Sequence, residues 1–349
     1  MRALHKITIF GAGAMGSTLA AWLTAQGQDV SLVARGDYAE QLRRAPVRIL
    51  HKGKVAQKPV MVSATNDIRD AGNADILIIT VKNFDLESCC RQIAEHINKD
   101  TLVVGLQNGV VNQTILPKYF RNVAYAVSNY NAWRTPNDAA GSGGTIDWNV
   151  NYNGPLIFGS TDVRLQEPID RLVDLCSDFI RCYRSERISD DAHAKLVNNL
   201  GNSITTVIGN THLESASLAP LHWVFTRVIY EGVRVLRKAG IQPSRKGALP
   251  SWRAVFLARF LPAMFTRRVF QKRLAMIGST SMATDVLSKG SGRSELETIN
   301  GAILALAEKH HVKAPYNRRL YDLCRERFSQ TPFQPISAED LKRRLQGKR

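Results

Sequence analysis

The sequence predicts an α/β domain followed by an all-helical domain. Two observations carry this prediction. Apolar runs of strand length alternate with helical patterns in the first half of the chain, whereas strand signals become rare from Asp190 onward. With 349 residues, 44% of them hydrophobic, the chain is long enough for a large core and two domains. We place the boundary between residues 187 and 188, which gives domains 1–187 and 188–349.

A glycine-rich segment joins the first strand to the first helix. The apolar run Ile7–Phe10 precedes it, and a helical pattern follows from Ser17. The segment is Gly11, Ala12, Gly13, Ala14, Met15 and Gly16. This G-x-G-x-x-G spacing permits a tight turn, close approach of a pyrophosphate and close packing of helix on strand. It predicts a Rossmann-type dinucleotide-binding site; the alternative is a purely structural glycine turn.

The end of the second strand bears on which dinucleotide binds. The run Asp29–Ala34 reads as that strand, and Arg35 follows where an NAD-specific site usually carries an acidic residue. An arginine can pair with the 2′-phosphate of NADP through charge-assisted hydrogen bonds. The residues therefore favour NADP. Asp37, two positions further on, argues the other way, and an ordinary surface arginine is the alternative.

Two more polar residues follow predicted parallel strands. Lys82 follows the buried run 74–81, and Asn108 follows the run Thr101–Leu106. Functional groups of such sheets gather at the carboxyl ends of the strands. We therefore expect both side chains to face the cofactor, with Asn108 bonding a ribose or the nicotinamide amide. For Asn108 the alternative is a plain Asn-Gly loop turn.

The remainder of the first domain shows weaker signals. Residues 48–62 predict a small β excursion around a Lys-Gly-Lys turn, and short strand-like runs recur in 123–133 and 144–159. Residues 169–181 have helical spacing, and 183–188 could form a last short strand.

The first long helix of the second domain carries a polar row. We expect Asp190 or Asp191 to cap it. Lys195 and Asn199 are four residues apart and share one face, which Ser203 continues. Lys, Asn and Ser in line among leucine, valine and isoleucine resemble the lining of a cleft. The alternative is an exposed lysine with incidental polar neighbours.

Further helices are predicted over 221–239, closed by Gly240, and over 253–276, interrupted near Pro262. Ser294 can cap a helix that runs from Glu295 to His310, with Glu295 in its first turn.

Composition limits the kind of protein. The net charge is +17, and between Glu231 and Asp285 there are eleven basic residues and no acidic one. Such a segment can be a solvated face or can attract nucleic acid, anionic lipid or an acidic small molecule. The five cysteines are odd in number and lack zinc-ligand spacing. We expect a reduced, cytoplasmic protein with no secretory leader, no structural metal and no membrane-spanning segment.

Taken together and in order, these residues resemble the ketopantoate reductase family (2-dehydropantoate 2-reductase). The resemblance covers most of the chain. It rests on these elements: the glycine segment, Arg35, 80–82, 107–109, Lys195 with Asn199, 281–282, Glu295 and 299–301. It implies an NADP-binding Rossmann domain, a helical domain, and NADPH-dependent reduction of ketopantoate to pantoate for pantothenate and coenzyme A synthesis.

The resemblance also implies roles for individual residues. Lys195 matches the catalytic lysine, the general acid that protonates the carbonyl oxygen, and Glu295 matches the catalytic-site glutamate. Asn199 would bind polar groups of the substrate and Ser281 its carboxylate. Ser203 stands where the family usually has a second asparagine, and His193 where it has an aromatic residue, so substrate recognition is the part most affected.

Three hypotheses therefore remain at this stage. The first is ketopantoate reduction, and the second is a paralogous reductase acting on another 2-keto acid or ketone. The third is a non-catalytic NADP-sensing protein that uses its basic face to bind a partner. In the first two the partner is a small 2-keto acid, nucleic acid is not expected, and both a monomer and a homodimer through the helical domain are compatible.

Overall fold

The computed structural model describes residues 6–134, 144–152, 154–209, 217–244, 251–276, 281–288 and 294–347. The chain divides into two compact units, the first ending at Ser189 and the second beginning at Asp190. The first unit is α/β and the second is helical, which confirms the predicted fold class. None of the helices in the described residues combines the length and apolar character needed to span a bilayer.

Within the described residues, the first unit has twelve strands in two sheets. Eight of them form one sheet in the order β12-β11-β8-β7-β6-β1-β2-β5, in which only the β8–β11 pair is antiparallel. The strands are β1 (Lys6–Phe10), β2 (Asp29–Val33), β3 (Val47–His51), β4 (Lys54–Val60), β5 (Ser63–Thr65), β6 (Ile76–Ile79), β7 (Leu102–Gly105), β8 (Asn122–Ser128), β9 (Asn131–Arg134), β10 (Ile146–Asn151), β11 (Leu156–Gly159) and β12 (Cys182–Arg184).

Helices cover the large sheet. They are α1 (Ala14–Ala25), α2 (Asp37–Arg44), α3 (Asn83–Ala94), α4 (Asn112–Ile115) and α5 (Gln166–Cys176), with 3₁₀ turns at Ile68–Ala71, Leu116–Lys118 and Val163–Leu165. The central strands β1 and β6 are buried almost throughout, as expected of parallel strands covered on both faces. Leu19 and Leu23 of α1 complete the core against Ile7 and Ile9.

The predicted excursion over residues 48–62 forms the hairpin β3–β4. It does not stand alone, because β3 pairs in parallel with β10 to give a second sheet in the order β4-β3-β10-β9. Arg48 and Asp147 lie opposite each other in that register, and their side chains form a bidentate ion pair with N–O distances of 2.9 and 2.6 Å.

The described part of the second unit consists of helices, short helical turns and the segments that connect them. The helices are α6 (Ile188–Ile208), α7 (Leu218–Lys238), α8 (Trp252–Phe260), α9 (Ala263–Met276), α10 (Ala302–Lys309), α11 (Pro315–Phe328) and α12 (Ala338–Leu345). A helical turn at Ser281–Ala283 leads into a π-helical turn at Thr284–Ser288, and a second π-helical turn, Glu297–Gly301, leads into α10. The predicted interruption near Pro262 is confirmed as the break between α8 and α9.

The expected cap of α6 is wrong. The helix begins at Ile188, so Asp190 and Asp191 lie within its first turn and are not its N-cap. Ile188 is buried, and the packing of this apolar side chain stabilises a helix start two residues before Asp190. The two carboxylates still lie where the helix dipole favours negative charge.

A buried glutamate caps α11 from a neighbouring helix. Glu231 of α7 is 4% exposed, and its carboxylate accepts hydrogen bonds from the backbone N–H groups of Tyr316 (3.2 Å) and Asn317 (2.9 Å). The Asn317 side chain donates a third, at 3.1 Å. Ala314, the N-cap residue, supplies no side-chain bond. Glu231 therefore satisfies helix-terminal donors that would otherwise be buried without partners.

Replacing Glu231 with alanine is expected to lower the free energy of unfolding by about 2–4 kcal/mol, because three donors lose a charged acceptor. Glu231→Gln keeps one acceptor oxygen and should therefore lower the free energy of unfolding by less. Urea unfolding followed by circular dichroism measures both, with the exposed Glu326→Ala in α11 as control. A loss no larger for Glu231→Ala than for Glu326→Ala would contradict the capping role.

Candidate active site

The glycine segment forms the turn between β1 and α1. Gly11 has φ +113°, a conformation that favours glycine, and its carbonyl accepts a 2.6 Å hydrogen bond from Thr80 Oγ1. A Cβ at Gly16 would lie 2.0 Å from the Gly11 oxygen, so helix and turn pack too closely for any side chain. A Cβ at Gly13 would meet no protein atom within 4 Å. The backbone at Gly13 is therefore open to approach from outside.

The other predicted cofactor residues lie at the same edge of the sheet. Strands β7, β6, β1 and β2 are parallel neighbours. Asn108 follows β7, Lys82 follows β6, and Arg35 follows β2, so all of them gather at the carboxyl ends of these strands together with the glycine turn. The first helix, α1, also begins there, with no side-chain cap at Gly13. An uncapped helix N-terminus beside open glycine backbone fits a pyrophosphate.

Arg35 is the most exposed of these side chains, at 72%. Its guanidinium contacts α3, with Nη1 3.4 Å from Asp85 Oδ2 and Nη2 3.4 Å from Cys89 Sγ. The ion pair with Asp85 is long and solvent-exposed, so it holds the side chain weakly, and the sulfur of Cys89 is only a weak acceptor. The guanidinium retains donors for an anionic ligand.

Lys82 and Asn108 sit in a turn region braced by amide side chains. Lys82 is the N-cap residue of α3, and the next residue, Asn83, donates a 2.7 Å hydrogen bond from Nδ2 to the Asn108 carbonyl. Gln107 donates from Nε2 to the Ile79 carbonyl at 2.7 Å. The ends of β6 and β7 are therefore tied to each other by side chains as well as by the sheet.

The polar row on α6 lies within the second unit. Lys195 is partly buried, Asn199 is 8% exposed and Ser203 is fully buried, so this is not a solvent face. Glu295, 2% exposed, acts on Lys195 electrostatically from the turn before α10. Burial lowers the pKa of Lys195 to about 8, and the Glu295 carboxylate opposes that shift. A lysine in this environment can exchange a proton near neutral pH.

Asn300 is the residue that sequence reasoning left without a role. It is fully buried, and its Nδ2 donates to Ser203 Oγ at 3.0 Å, while Ser203 Oγ itself donates to the Leu200 carbonyl at 2.9 Å. The Asn199 Nδ2 and Asn300 Oδ1 atoms have no hydrogen-bond partner within the described part of the protein. The available signal was its place in the segment 299–301, one of the segments on which the family resemblance rests.

In the first unit, Thr80 is likewise a residue whose role could not be seen in the sequence. A threonine directly after the apolar strand β6 was visible in the sequence, but only the structure shows that its hydroxyl holds the glycine turn. The side chain of the predicted substrate residue Ser281 lies outside the described residues. Among the residues that are described, no group of three or more His, Cys, Asp or Glu side chains is arranged to bind a metal ion.

Two family models match the chain. The model described as ketopantoate reductase PanE/ApbA matches residues 7–158, and the model of the PanE/ApbA C-terminal domain matches residues 187–328. Among curated relatives, the 2-dehydropantoate 2-reductase of Archaeoglobus fulgidus is 28% identical over 334 residues, which cover 92% of this chain and 97% of the relative.

Solved structures share the fold. A PanE/ApbA family ketopantoate reductase from Ralstonia eutropha is 23% identical, with a TM-score of 0.65 over 97% of this chain and 99% of that one. A D-mandelate dehydrogenase in complex with NADH is 21% identical, with a TM-score of 0.70 over 92% of this chain and 98% of that one.

Proposed function

Because the chain belongs to the ketopantoate reductase family, we propose that it reduces ketopantoate (2-dehydropantoate) to pantoate with NADPH. This would be a step toward pantothenate and coenzyme A. The observation that carries the proposal is Lys195, a partly buried lysine with a pKa near 8, influenced by the buried carboxylate of Glu295. A solvent-exposed lysine would keep its ordinary pKa and would not need a buried carboxylate to stabilise its charge.

Reduction of a ketone needs a hydride at carbon and a proton at oxygen. The dinucleotide, when bound, supplies the hydride. Lys195 Nζ supplies the proton to the carbonyl oxygen, which becomes the new hydroxyl group, and its positive charge stabilises the alkoxide that develops. Glu295 favours the charged form of Lys195, and this keeps the acid protonated despite its burial.

Asn199 is proposed to bind polar groups of the substrate. Its Nδ2 is a buried donor with no partner in the described protein, and such a donor gains most from an anionic or hydroxyl acceptor. Ser203 is proposed as a second contact. Its hydroxyl proton is already donated to Leu200, so it would serve the substrate only as an acceptor. Ser281 is proposed to bind the carboxylate.

On the cofactor side, the residues 11–16 are proposed to hold the pyrophosphate, and Lys82 and Asn108 the nicotinamide half. Arg35 is proposed to bind the 2′-phosphate. Arg35→Ala should then raise KM for NADPH about 10–100-fold and leave KM for NADH nearly unchanged, since charge-assisted hydrogen bonds of roughly 1.5–3 kcal/mol are lost only with NADPH.

Initial rates with each coenzyme measure this effect. Arg44→Ala in α2 is the matched control, because Arg44 is also highly exposed and ion-paired with a nearby carboxylate. An equal rise in KM for NADH and NADPH would show that Arg35 does not bind the 2′-phosphate.

The direct test is oxidation of NADPH by the purified protein with ketopantoate, with NADH in parallel. Turnover with NADPH and ketopantoate supports the reaction. Clear NADPH binding without turnover of ketopantoate would overturn the substrate and keep the cofactor site.

Ser203 favours a second candidate, reduction of a different 2-keto acid. The residue is shorter than the asparagine usual in the family, and it is held by Asn300. A panel of 2-keto acids compared by kcat/KM separates the two, because the true substrate should exceed the others by at least about tenfold. We also propose a cytoplasmic location, since all five cysteines are free thiols, as in a reducing compartment.

A further inference from the structure

Exposed apolar side chains are concentrated in one short stretch of the helical unit. Of the fourteen large hydrophobic side chains that are exposed in the described residues, half lie between Phe256 and Val269. They are Phe256, Leu257 and Phe260 in α8, Leu261 in the connection, and Met264, Phe265 and Val269 in α9. The other seven are scattered over the first unit. A concentration of this kind marks an interaction surface. We call it the α8–α9 surface.

The opposite sides of both helices are already occupied. Val255 of α8 is buried, and α9 is attached to α7 through Thr266 and Phe270, one turn apart. Thr266 Oγ1 lies 2.8 Å from His222 Nε2, and the Phe270 ring lies 5.5 Å from that of Phe225. Each helix is therefore fixed to α7 on one side. Phe256 and Phe260 lie at the edge of this contact, with ring centroids 6.3 and 5.4 Å from that of Tyr230 in α7, and about half of each side chain remains exposed.

Basic side chains are interleaved with the exposed apolar ones. Arg253, Arg267, Arg268 and Lys272 are all exposed, and the chain has no acidic residue between Glu231 and Asp285. A surface of exposed phenylalanine, leucine and methionine with Arg and Lys among them can contact an anionic bilayer in two ways, by apolar contact and by attraction to the charged headgroups. The apolar groups enter the acyl boundary, while the long basic side chains reach the headgroup phosphates.

We infer that the α8–α9 surface docks the protein on an anionic phospholipid bilayer as a peripheral contact. A second copy of this chain is a poor partner for this surface, because two surfaces with the same positive charge would repel each other. Nucleic acid is also a poor partner. Its phosphates would pair with the basic side chains, but the exposed phenylalanines would remain without an apolar contact. This inference is independent of the proposed reductase activity.

Co-sedimentation of the full-length protein with vesicles tests the inference. One set contains phosphatidylcholine alone and the other includes about 30% phosphatidylglycerol, an anionic lipid. We expect binding only to the anionic set, and weaker binding as salt rises. Met264→Ser with Phe265→Ser, which removes two of the most exposed apolar side chains of this surface, should weaken binding at least about tenfold. Arg267→Glu with Arg268→Glu should weaken it about 25-fold or more, at roughly fivefold for each basic residue lost.

Matched controls lie in the first unit. Val55→Ser with Val163→Ser removes two other exposed apolar side chains, and Lys54→Glu with Lys58→Glu reverses two other exposed charges. Both should bind vesicles like the unchanged protein, and melting temperatures confirm folding of all variants. Three results would overturn the inference: no preference for anionic vesicles at low salt, tighter binding to duplex DNA than to vesicles, or a dimer that Met264→Ser with Phe265→Ser dissociates.

Discussion

Replacing Lys195 with methionine is expected to lower kcat about 10²–10⁴-fold, the usual contribution of a positioned general acid. Methionine keeps much of the length of the side chain and removes the proton. NADPH binding should be retained, because the proposed cofactor residues all belong to the first unit. Single-turnover rates and NADPH titration measure the two effects, with the exposed Lys309→Met as control. Full turnover in Lys195→Met would remove the residue from the mechanism.

The pH profile of the unchanged enzyme tests the same residue. Lys195 acts as an acid only when protonated, and its pKa is lowered to about 8. The rate of reduction should therefore be constant below that pH and fall about tenfold per pH unit above it. Glu295→Gln removes the charge that opposes the shift, so the fall should begin at lower pH. A profile that stays flat through pH 8 to 10 would contradict a proton donated by Lys195.

Replacing Gly16 with alanine is expected to destabilise the first unit by about 3 kcal/mol or more and to abolish NADPH binding. The new Cβ would lie 2.0 Å from the Gly11 carbonyl oxygen and 2.8 Å from Thr80 Oγ1. Backbone cannot yield as a flexible side chain does, so the turn between β1 and α1 must open. Thermal unfolding and NADPH titration measure the two losses.

Gly13→Ala is the matched variant in the same turn. Its Cβ meets no protein atom within 4 Å, and the glycine has φ −76°, which alanine adopts freely. Stability should change by no more than about 0.5 kcal/mol. NADPH affinity should still fall at least tenfold, because a methyl group would occupy the space proposed for the pyrophosphate. Unchanged affinity in Gly13→Ala would place the pyrophosphate elsewhere.

The sequence was most informative about features that depend on a short stretch of the chain. Strands β1, β2, β6 and β7 were predicted to within about two residues. Strands β6 and β7 are continuous apolar runs, and β1 and β2 are mostly apolar segments of strand length that flank the glycine turn and the first helix. The breaks at Pro262 and Gly240 were also predicted, since these residue types impose their own backbone geometry.

Contacts between distant segments could not be predicted from pattern. The pairing of β3 with β10 joins residues about a hundred positions apart, and neither strand carries a residue pattern that identifies the strand it pairs with. The same holds for Glu231 at the start of α11 and for Asn300 on Ser203. The electrostatic influence of Glu295 on Lys195 was expected only from family resemblance, which carries long-range information that spacing lacks.

The two buried asparagines bear on how this protein should be engineered. Asn199 Nδ2 and Asn300 Oδ1 lack partners in the described protein, and a buried polar atom in that state costs about 1–3 kcal/mol. Apolar substitutions there would relieve that cost. A screen that selects variants by heat resistance alone would therefore enrich changes at Asn199, the residue proposed to bind substrate. Thermostabilisation of this enzyme should be scored by turnover at every round, because heat resistance and turnover oppose each other at this position.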